Sequence, residues 1–564
     1  MSAKQLKFDD QAREALLRGT ALVAAAVRPT LGPRGRSVVI DRKYGSPQIS
    51  TDGATIVRDI ELPDHFENMG AQLLAEASRR ANDRAGDGTT TAALLAEALV
   101  EEGVRNMAGG SSPMGLKRGI DLATARALSE LDKHSRPVDG RSDIAQVATV
   151  SSGSQEIGEM IASAMDKVTA DGVITVEEAS GIDTEVKVVE GMQFDRGFVS
   201  PYLVTDQKTM EAVLEDPLIL ITPRKISAVK DVVPVMELAL KTSRPLLLVA
   251  EDIDGEALAT LVVNRLRGTL TCSAVKAPGF GDRRTAMLQD LAILTGAEVI
   301  SEELGLTLEA VQERQLGSAR RILVTKDDTT VVEGRGTHSA IAARVEEIQR
   351  QIEDTESDWD REKLQERKAR LVGGVAVIKV GAPTETALKE RKERVEDALE
   401  ATKAAVEQGI LPGGGRSLLL VAETLKDLGS DEDERTGVEI VRRALEIPTR
   451  QLAANAGVEG SVVCEKVSQM GEHEGFDVEK LEYCDLLKAG IVDPTKVVKA
   501  SLESAASVAG MLLTTQAAIA DVPEPVGAGM PGGGGDPMGG MGGMGGMGGM
   551  GGMDGMGGMD DMDF

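Results

Sequence analysis

The sequence Gly86-Asp87-Gly88-Thr89-Thr90-Thr91 decides how the rest of the chain is interpreted. Its two glycines allow a tight turn and a close approach of the backbone to a ligand. The threonines stand where a helix is predicted to begin, and free N–H groups at a helix start bind anions. Asp87 adds a carboxylate that could hold Mg²⁺ on a polyphosphate. The stretch therefore predicts a phosphate site, and a capped helix after a surface turn is the other interpretation.

Length and charge restrict the class of protein. A chain of 564 residues is too long for one hydrophobic core, so several domains are expected. The net charge of −28, from 91 acidic and 63 basic residues, argues against nucleic acid or an anionic membrane as the main partner. Aromatic residues make up only 2%, so the cores must consist of Ala, Val, Leu, Ile and Met.

The cysteines and the termini indicate a compartment. Cys272, Cys464 and Cys484 are odd in number and far apart, which favours free thiols in a reducing environment. The polar start has no apolar segment of a signal peptide, and no apolar run is long enough to cross a membrane. A cytoplasmic protein is expected, unless an organelle import segment has been removed.

The periodicity changes along the chain. Residues 11–27, 70–82, 89–106, 113–131, 143–150 and 157–170 read as helices, with a small β element at 37–41 and a hairpin-like turn at 44–45. From 191 to 374 the pattern is α/β, with short buried strands predicted at 218–221, 245–250 and 298–300. The charged segment 340–370 fits an amphipathic helical hairpin.

A long helix is predicted at 385–408, with an apolar face formed by Leu388, Val395, Leu399 and Val406. Asp397 lies off that face, so helix spacing alone favours a solvated aspartate. Asp52 stands in an Asp-Gly turn, where aspartate is common for local reasons. The Gly-Gly-Met triplets at the end of the chain predict a disordered tether at 526–564.

The known phosphate and catalytic motifs are missing. The sequence has no G-x-x-x-x-G-K-[ST] loop, no G-x-S-x-G and no H-E-x-x-H, and its four histidines are scattered. What remains are glycine-rich loops with nearby carboxylates, hundreds of residues apart.

Those loops, together with two further segments, resemble segments of a known protein family. Thr30-Leu31-Gly32-Pro33, Asp52-Gly53, the stretch 86–91, Gly413-Gly414-Gly415 and Asp493-Pro494-Thr495-Lys496 resemble the GroEL-type group I chaperonins, and so do the stretches 191–197 and 276–284. The similarity runs from about residue 4 to 523, and the Gly-Gly-Met tail matches as well.

The resemblance implies a multidomain α+β and α/β fold. A mainly helical equatorial ATPase domain would comprise 1–133 and 408–525, and a small α/β intermediate domain 134–190 and 375–407. An inserted α/β apical domain, 191–374, would bind clients and the lid. Pro137 and Gly409 would flank the lower hinge, and Gly191 and Gly374 the upper one.

The resemblance also implies a site for ATP with Mg²⁺ and K⁺. Asp87 would hold Mg²⁺, Asp397 would activate the attacking water and Asp52 would orient it. The K⁺ would use backbone carbonyls of Thr30 and Thr51. The other nucleotide contacts would be Thr30, Leu31, Gly32 and Pro33 along the phosphates, Gly88, Thr89, Thr90 and Thr91 around phosphate oxygens, Gly414 and Asp493 at the ribose, and Asp477, Val478 and Ile491 at the adenine.

Clients and partners follow from the same resemblance. Non-native polypeptides, and a GroES-type lid that competes with them, would bind an apical groove. Residues 256–267 carry an apolar arc wider than one buried stripe, which is consistent with a binding surface, although both faces could be core. The matching groove positions are Phe198, Tyr202, Leu203, Val233, Met236, Leu258, Val262, Val263 and Asn264.

Some residues depart from the family pattern. Thr51 stands where the family commonly has Lys, Ser152-Gly153 replaces a more usual Ala-Asn pair, and Asp477 replaces an Asn often found beside adenine. Leu203, Val233 and Met236 are less aromatic or differently branched. These changes bear on ion dependence, nucleotide affinity and client preference.

The resemblance therefore implies an ATP-driven foldase, a homo-oligomeric ring of seven subunits, usually stacked as two rings. A specialised paralogue that holds clients without cyclic folding is one alternative. A small-molecule kinase that uses the glycine-rich loops is a more remote one, because it gives no reason for the apolar apical surface.

Overall fold

A computed structural model describes residues 3–42, 47–168, 173–179, 181–207, 209–355 and 357–522. The chain divides into a large compact unit, Leu6–Ala520, and a small unit of Met1–Gln5 with Asp521–Phe564. In the small unit Lys4 Nζ lies 2.6 Å from Asp521 Oδ1. The predicted turn at 44–45 and the predicted tail at 526–564 lie outside the described residues.

Helices dominate both ends of the large unit. The helices of the described residues are α1 (Asp9–Val27), α2 (Gly53–Arg58), α3 (His65–Ala85), α4 (Thr89–Ala108), α5 (Pro113–His134), α6 (Gly140–Ser152), α7 (Gln155–Lys167), α8 (Val229–Thr242), α9 (Gly255–Leu266), α10 (Asp282–Thr295), α11 (His338–Asp354), α12 (Asp358–Val372), α13 (Glu385–Gln408), α14 (Arg416–Ala422), α15 (Glu432–Ala444), α16 (Ile447–Asn455), α17 (Gly460–Ser468), α18 (Leu486–Ala489) and α19 (Thr495–Leu513). None of these is long and apolar enough to cross a membrane.

Strands concentrate in the middle of the chain. They are β1 (Lys4–Phe8), β2 (Val38–Ile40), β3 (Gln48–Ser50), β4 (Val173–Glu178), β5 (Glu185–Val189), β6 (Gly191–Phe194), β7 (Ala212–Glu215), β8 (Leu218–Ile221), β9 (Lys225–Ile226), β10 (Leu246–Ala250), β11 (Asp252–Ile253), β12 (Cys272–Lys276), β13 (Gly317–Val324), β14 (Thr329–Gly334), β15 (Val375–Val380), β16 (Ile410–Pro412), β17 (Glu474–Asp477), β18 (Glu482–Asp485), β19 (Val492–Pro494) and β20 (Ala517–Asp521).

One helical core joins the two ends of the sequence. Buried Ala, Val and Leu residues of α1, α3, α4 and α5 pack with those of α14, α15 and α19. Small residues let these helices approach closely. A Cβ on Gly70 of α3 would overlap the Leu16 carbonyl of α1, and a Cβ on Gly119 of α5 would overlap the Glu434 carbonyl of α15. A core with few aromatic side chains and many small residues therefore lets the helices pack closely.

A seven-stranded sheet occupies the middle of the chain. Its order is β12-β10-β8-β13-β14-β6, and β7 pairs with β13 beside this path. Strands β8, β10 and β12 are parallel, while β13 is antiparallel to β8 and β14. Leu246–Ala250 is completely buried because separate apolar clusters cover the two faces of the sheet.

A smaller sheet is built from two separate parts of the chain. Strand β15 pairs in parallel with β4 and antiparallel with β5. Helices α6, α7 and α13 share an apolar cluster with this sheet, to which Val395 and Leu399 of α13 contribute. The chain therefore leaves this region after β5, forms the seven-stranded sheet, and returns at β15.

The helix pattern was predictable, but one strand was not. The predicted helices at 11–27, 70–82, 89–106, 113–131, 143–150 and 385–408 are present, and 340–370 is the predicted helical hairpin of α11 and α12. The strand predicted at 298–300 is wrong. Only a single parallel bridge forms there, between Ile221 and Val299, because the Ile300 N–H bonds to the Ile221 carbonyl at 2.8 Å while the Glu298 N–H bonds to the Gln315 carbonyl at 3.0 Å and not to β8. The domain boundaries stay predictions.

Candidate functional site

The Gly86–Gly88 turn places an uncapped helix start at the centre of the site. Gly86 ends α3 with φ 71°, and Gly88 precedes α4 with φ 85°, both in the left-handed region that favours glycine. No side chain caps the first N–H groups of α4. Gly88, Thr89 and Thr90 are buried, so the segment is not a surface turn. The helix start keeps donors available for an anion.

Asp52 lies against this helix start. A Cβ on Gly53 would come within 2.6 Å of Thr89 Oγ1 and 2.7 Å of Thr90 Oγ1, so only glycine fits between the two segments. The Asp52 carboxylate accepts hydrogen bonds from Ala54 N at 3.0 Å and Thr55 N at 2.7 Å, which caps α2. Asp52 is thus a local turn residue, as its Asp-Gly context predicts, and also a neighbour of the phosphate stretch.

The Thr30–Pro33 segment meets the same helix start. Thr30 Oγ1 lies 3.3 Å from Thr90 Oγ1. Gly32 has φ 80°, and a Cβ there would overlap Leu452 Cδ2 of α16. Residues separated by 60 positions are therefore in contact, which local sequence patterns do not reveal.

Asp397 is brought to this place by α13. A Cβ on Gly86 would overlap the side chain of Glu400, one helical turn after Asp397. Burial raises the pKa of Asp397 well above the usual aspartate value, and the negative charges of Asp52 and Asp87 raise it further. Asp397 is half-buried, so it is not the freely solvated residue that helix spacing alone favours, and its role in the site stays a prediction.

Of the predicted apolar face of α13, Val395 and Leu399 are buried and Leu388 packs against the same cluster, whereas Val406 is 54% exposed, so the buried face ends before the last turn of the helix. Helix spacing did not reveal what lies against the Asp397 side of the helix.

Asp87 has a hydrogen-bond partner that the sequence did not indicate. Ser151 Oγ of α6 donates to Asp87 Oδ2 at 3.2 Å, and Gly88 N–H donates to Asp87 Oδ1. Burial raises the pKa of Asp87 despite these two donors, and the charge of Asp52 adds to the effect. Carboxylates that raise each other's pKa form a region of negative potential that favours a cation.

The glycine-rich loop Gly413-Gly414-Gly415 and the strand beside it form another side of the candidate site. Strand β16 pairs with β19, so that Leu411 lies opposite Asp493, and Gly413 N–H donates to the Ile491 carbonyl at 2.9 Å. Burial raises the pKa of Asp493 to about 7, the charge of Asp87 contributes, and the Gly415 N–H opposes the shift. The charge of Asp87 therefore acts on Asp493, although Asp87 and Asp493 belong to distant parts of the sequence.

The β17–β18 hairpin carries Asp477 and Val478. The Asp477 carboxylate accepts hydrogen bonds from Glu479 N at 2.9 Å and Lys480 N at 3.1 Å, which fixes the hairpin turn. Val478 is buried in a cluster against which Leu31 packs, and Arg34 donates to the Glu479 carbonyl at 2.7 Å. The hairpin is thereby attached to the Thr30–Pro33 segment.

The remaining nucleotide positions are placed less directly. Thr91 and Ile491 are half-buried, and Thr51 is exposed beside Asp52. Gly414 has φ 63°, and its carbonyl accepts a hydrogen bond from Thr449 Oγ1 at 3.3 Å. The structure thus joins Thr30, Asp52, Asp87, Thr89, Thr90, Asp397 and Asp493 around one centre.

The residues at this centre fit a magnesium-bound polyphosphate. The uncapped start of α4 offers N–H donors, and the carboxylates offer the hard oxygen ligands that Mg²⁺ prefers. Within the described residues, no three His, Cys, Asp or Glu side chains form a metal site by themselves. A Mg²⁺ at this centre would be held by one or two carboxylates together with water and phosphate oxygens.

The expected client groove lies elsewhere, along α8 and α9. Tyr202 is exposed, and so are Val233 and Val263 at 36% and 43%, whereas Phe198, Leu258, Val262 and Asn264 are half-buried. Leu203 and Met236 are 0% and 6% exposed and belong to the core beneath α8 and α9. These two residues support the surface and do not form it.

One family of known proteins matches this chain. The model of the TCP-1/cpn60 chaperonin family matches residues 23–523. Chaperonins are protein-folding chaperones and ATPases that bind ATP with Mg²⁺, form ring oligomers and bind unfolded clients. Because the match covers nearly the whole described chain, this protein belongs to the TCP-1/cpn60 chaperonin family.

Proposed function

We propose that the protein is a GroEL-type, group I chaperonin that encloses non-native polypeptides in a ring cavity and refolds them with the energy of ATP hydrolysis. The observation that carries the proposal is the position of Asp397, which lies close enough to Asp52 and Asp87 to sense their charges beside the start of α4. Three separate parts of the chain supply these carboxylates.

Mg–ATP supplies the phosphoanhydride bond and the cation that offsets its charge. The residues of the chain bind and orient the reacting groups. The N–H groups and hydroxyls of Thr89 and Thr90 hold phosphate oxygens, and Asp87 holds the cation. Asp397 orients the attacking water and accepts its proton. The raised pKa of Asp397 makes its ionised carboxylate a better proton acceptor than an ordinary aspartate.

Helix α13 connects the proposed hydrolytic site to the β4–β15–β5 sheet. Val395 and Leu399 anchor α13 to the β4–β15–β5 sheet, while Glu400 packs on Gly86. A movement of that sheet therefore moves Asp397 toward or away from Asp87. We propose that ATP draws α13 onto the site, and that hydrolysis releases it, with hinges at Pro137 and Gly409 and at Gly191 and Gly374.

The exposed apolar residues of α8, α9 and the Tyr202 segment would bind clients by burial of apolar surface, and a GroES-type lid would compete for them. The backbone carbonyls of Thr30 and Thr51 would hold K⁺. The subunits would form two stacked rings of seven in the cytoplasm. A specialised paralogue that holds clients without folding them is the second candidate, favoured only by the departures at Thr51 and in the groove.

The proposal is tested first at Asp397. We expect Asp397→Ala to retain ATP binding and to lower turnover by about 100-fold or more, because only the water-activating group is lost. Glu390→Ala is the matched control, since Glu390 lies on the same helix and pairs only with Arg394 among its described ion pairs. Equal loss of binding and turnover would show that Asp397 acts structurally.

A second measurement separates the two candidates. Native particle size, K⁺-dependent ATP turnover and refolding of a denatured client are compared with and without a lid protein. A folding chaperonin gives a large ring, turnover and lid-dependent refolding. Turnover in a large ring without a response to the lid would favour the specialised paralogue.

A further inference from the structure

Helix α16 contacts both halves of the proposed nucleotide site, although the resemblance assigns it no residue there. On one side, Leu452 fills the space beside Gly32. On the other side, Thr449 Oγ1 donates to the Gly414 carbonyl at 3.3 Å, and a Cβ on Gly415 would overlap Thr449 Oγ1. One short helix therefore lies against the Thr30–Pro33 segment and the second glycine-rich loop at once.

The last residue of α16 makes the more specific contact. Asn455 Nδ2 donates to the Arg28 carbonyl at 3.1 Å and to the Leu31 carbonyl at 2.9 Å. The Arg28 carbonyl belongs to the first residue of the turn Arg28–Thr30 and the Leu31 carbonyl to the residue that follows it, so both hydrogens of one amide hold the backbone that presents Thr30.

A second amide fixes the orientation of the first. Gln451 Nε2, one helical turn earlier, donates to Asn455 Oδ1 at 2.7 Å. The Asn455 amide thus accepts one hydrogen bond and donates two, which uses both of its N–H groups. A flipped amide would place its oxygen against two carbonyl oxygens, so this arrangement has only one favourable orientation.

We propose that α16 is the platform that aligns the two halves of the nucleotide site, and that Asn455, oriented by Gln451, is its positioning residue for the phosphate and K⁺ half. Asn455 acts through the Arg28–Leu31 backbone and not on ATP itself. This inference rests on the proposed function, because it assumes that the Thr30–Pro33 segment binds the nucleotide.

The test uses the full-length assembled protein and measures ATP turnover against ATP and K⁺ concentrations. Asn455→Asp removes both donors and turns a carboxylate oxygen toward two carbonyls. We expect KM for ATP and the K⁺ concentration for half-maximal turnover to rise about tenfold, with kcat at saturating ATP and K⁺ nearly unchanged. Raising the K⁺ concentration should rescue the variant, which a general loss of structure would not allow.

Four further variants make the result specific. Gln451→Glu cannot donate to Asn455 Oδ1, so it should shift the same two parameters by a smaller factor. The double variant should be no worse than Asn455→Asp alone, because Gln451 acts through Asn455. Thr449→Val, on the same helix, should raise KM for ATP without changing the K⁺ dependence, because Thr449 contacts only the other half. Asn106→Asp is the remote control, since Asn106 Nδ2 donates to the Glu102 carbonyl near the far end of α4.

The outcomes separate this inference from the proposed function. If Asp397→Ala hydrolyses ATP like the wild type, the proposed function fails. If Asp397→Ala is inactive while Asn455→Asp keeps the wild-type KM and K⁺ dependence, only this inference is overturned. If Asn455→Asp does not assemble into the native particle, the inference is tested with Gln451→Glu instead. An unchanged K⁺ dependence in Gln451→Glu overturns the inference.

Discussion

Asp493 shows how the site affects stability at the scale of one residue. Burial and the charge of Asp87 raise its pKa to about 7, whereas an aspartate of an unfolded chain titrates at about 3.9. Between these values the folded protein binds more protons than the unfolded chain. The contribution of Asp493 therefore lowers the free energy of unfolding as pH rises from about 4 to about 7, and the loss is complete above that range.

Asp493→Asn removes this charge while it keeps the shape of the side chain. We expect the free energy of unfolding of the nucleotide-free protein to rise by up to about 4 kcal/mol at pH 8, since the two pKa values differ by about 3 units at about 1.4 kcal/mol each, and to change little at pH 4. Denaturant unfolding at the two pH values measures the difference. The control is Asp121→Asn, an exposed residue of α5 that pairs with Lys117. An equal gain at both pH values would contradict the assignment to ionisation.

Gly53 lacks a side chain that would collide with the start of α4. Gly53→Ala would press a methyl group against Thr89 Oγ1 and Thr90 Oγ1. We expect a loss of about 1–3 kcal/mol in stability together with weaker ATP binding, because α2 must move away from the start of α4. Thermal unfolding and nucleotide titration test this. Gly181→Ala, which meets no atom within 4 Å, should change neither quantity.

At the scale of elements, periodicity predicted the helices but not their neighbours. The predicted bounds of the helix at 385–408 coincide with α13, because its sequence pattern and its breaker at Gly409 are local signals. The position of Asp397 beside Asp52 and Asp87 depends on a contact between Glu400 and Gly86, more than 300 residues apart. Such contacts entered the prediction only through the resemblance, and Ser151 and Asn455 were missed because they are ordinary polar residues.

An ion-pair cluster joins the two sheets of the middle region. The buried Glu177 of β4 lies 2.6 Å from Arg320 and 3.4 Å from Arg321, both on β13. The two arginines also contact Glu333 and Glu215. Glu177 is therefore the carboxylate that links the smaller sheet to the larger one.

Glu177→Gln should loosen that link without touching the ATP site. We expect faster amide hydrogen exchange in β4 and β13, a loss of about 1–3 kcal/mol in stability, and unchanged ATP affinity. Glu185→Gln is the matched control on the same sheet, since its exposed pair with Lys187 should contribute little. Unchanged exchange in β13 would show that apolar packing alone joins the sheets.

At the scale of the whole molecule, the β2–β3 ribbon offers a surface for assembly. Val39 and Ile49 lie opposite each other across the two strands and are 66% and 48% exposed. An apolar cross-strand pair on a two-stranded ribbon with open edges is typical of a surface that another chain covers. Because chaperonins form ring oligomers, we predict that a neighbouring subunit covers this pair.

The assignment predicts that charge at this pair separates the subunits. The double change Val39→Asp and Ile49→Asp should reduce the native particle from a ring toward the 59.4 kDa subunit, because burying two carboxylates at an interface is costly. Sedimentation measures the size, and circular dichroism confirms that the separated subunit is folded. Ile182→Asp changes an equally exposed apolar residue at 67% and should leave the ring intact. A full-sized ring in the double variant would place the subunit contact elsewhere on the molecule.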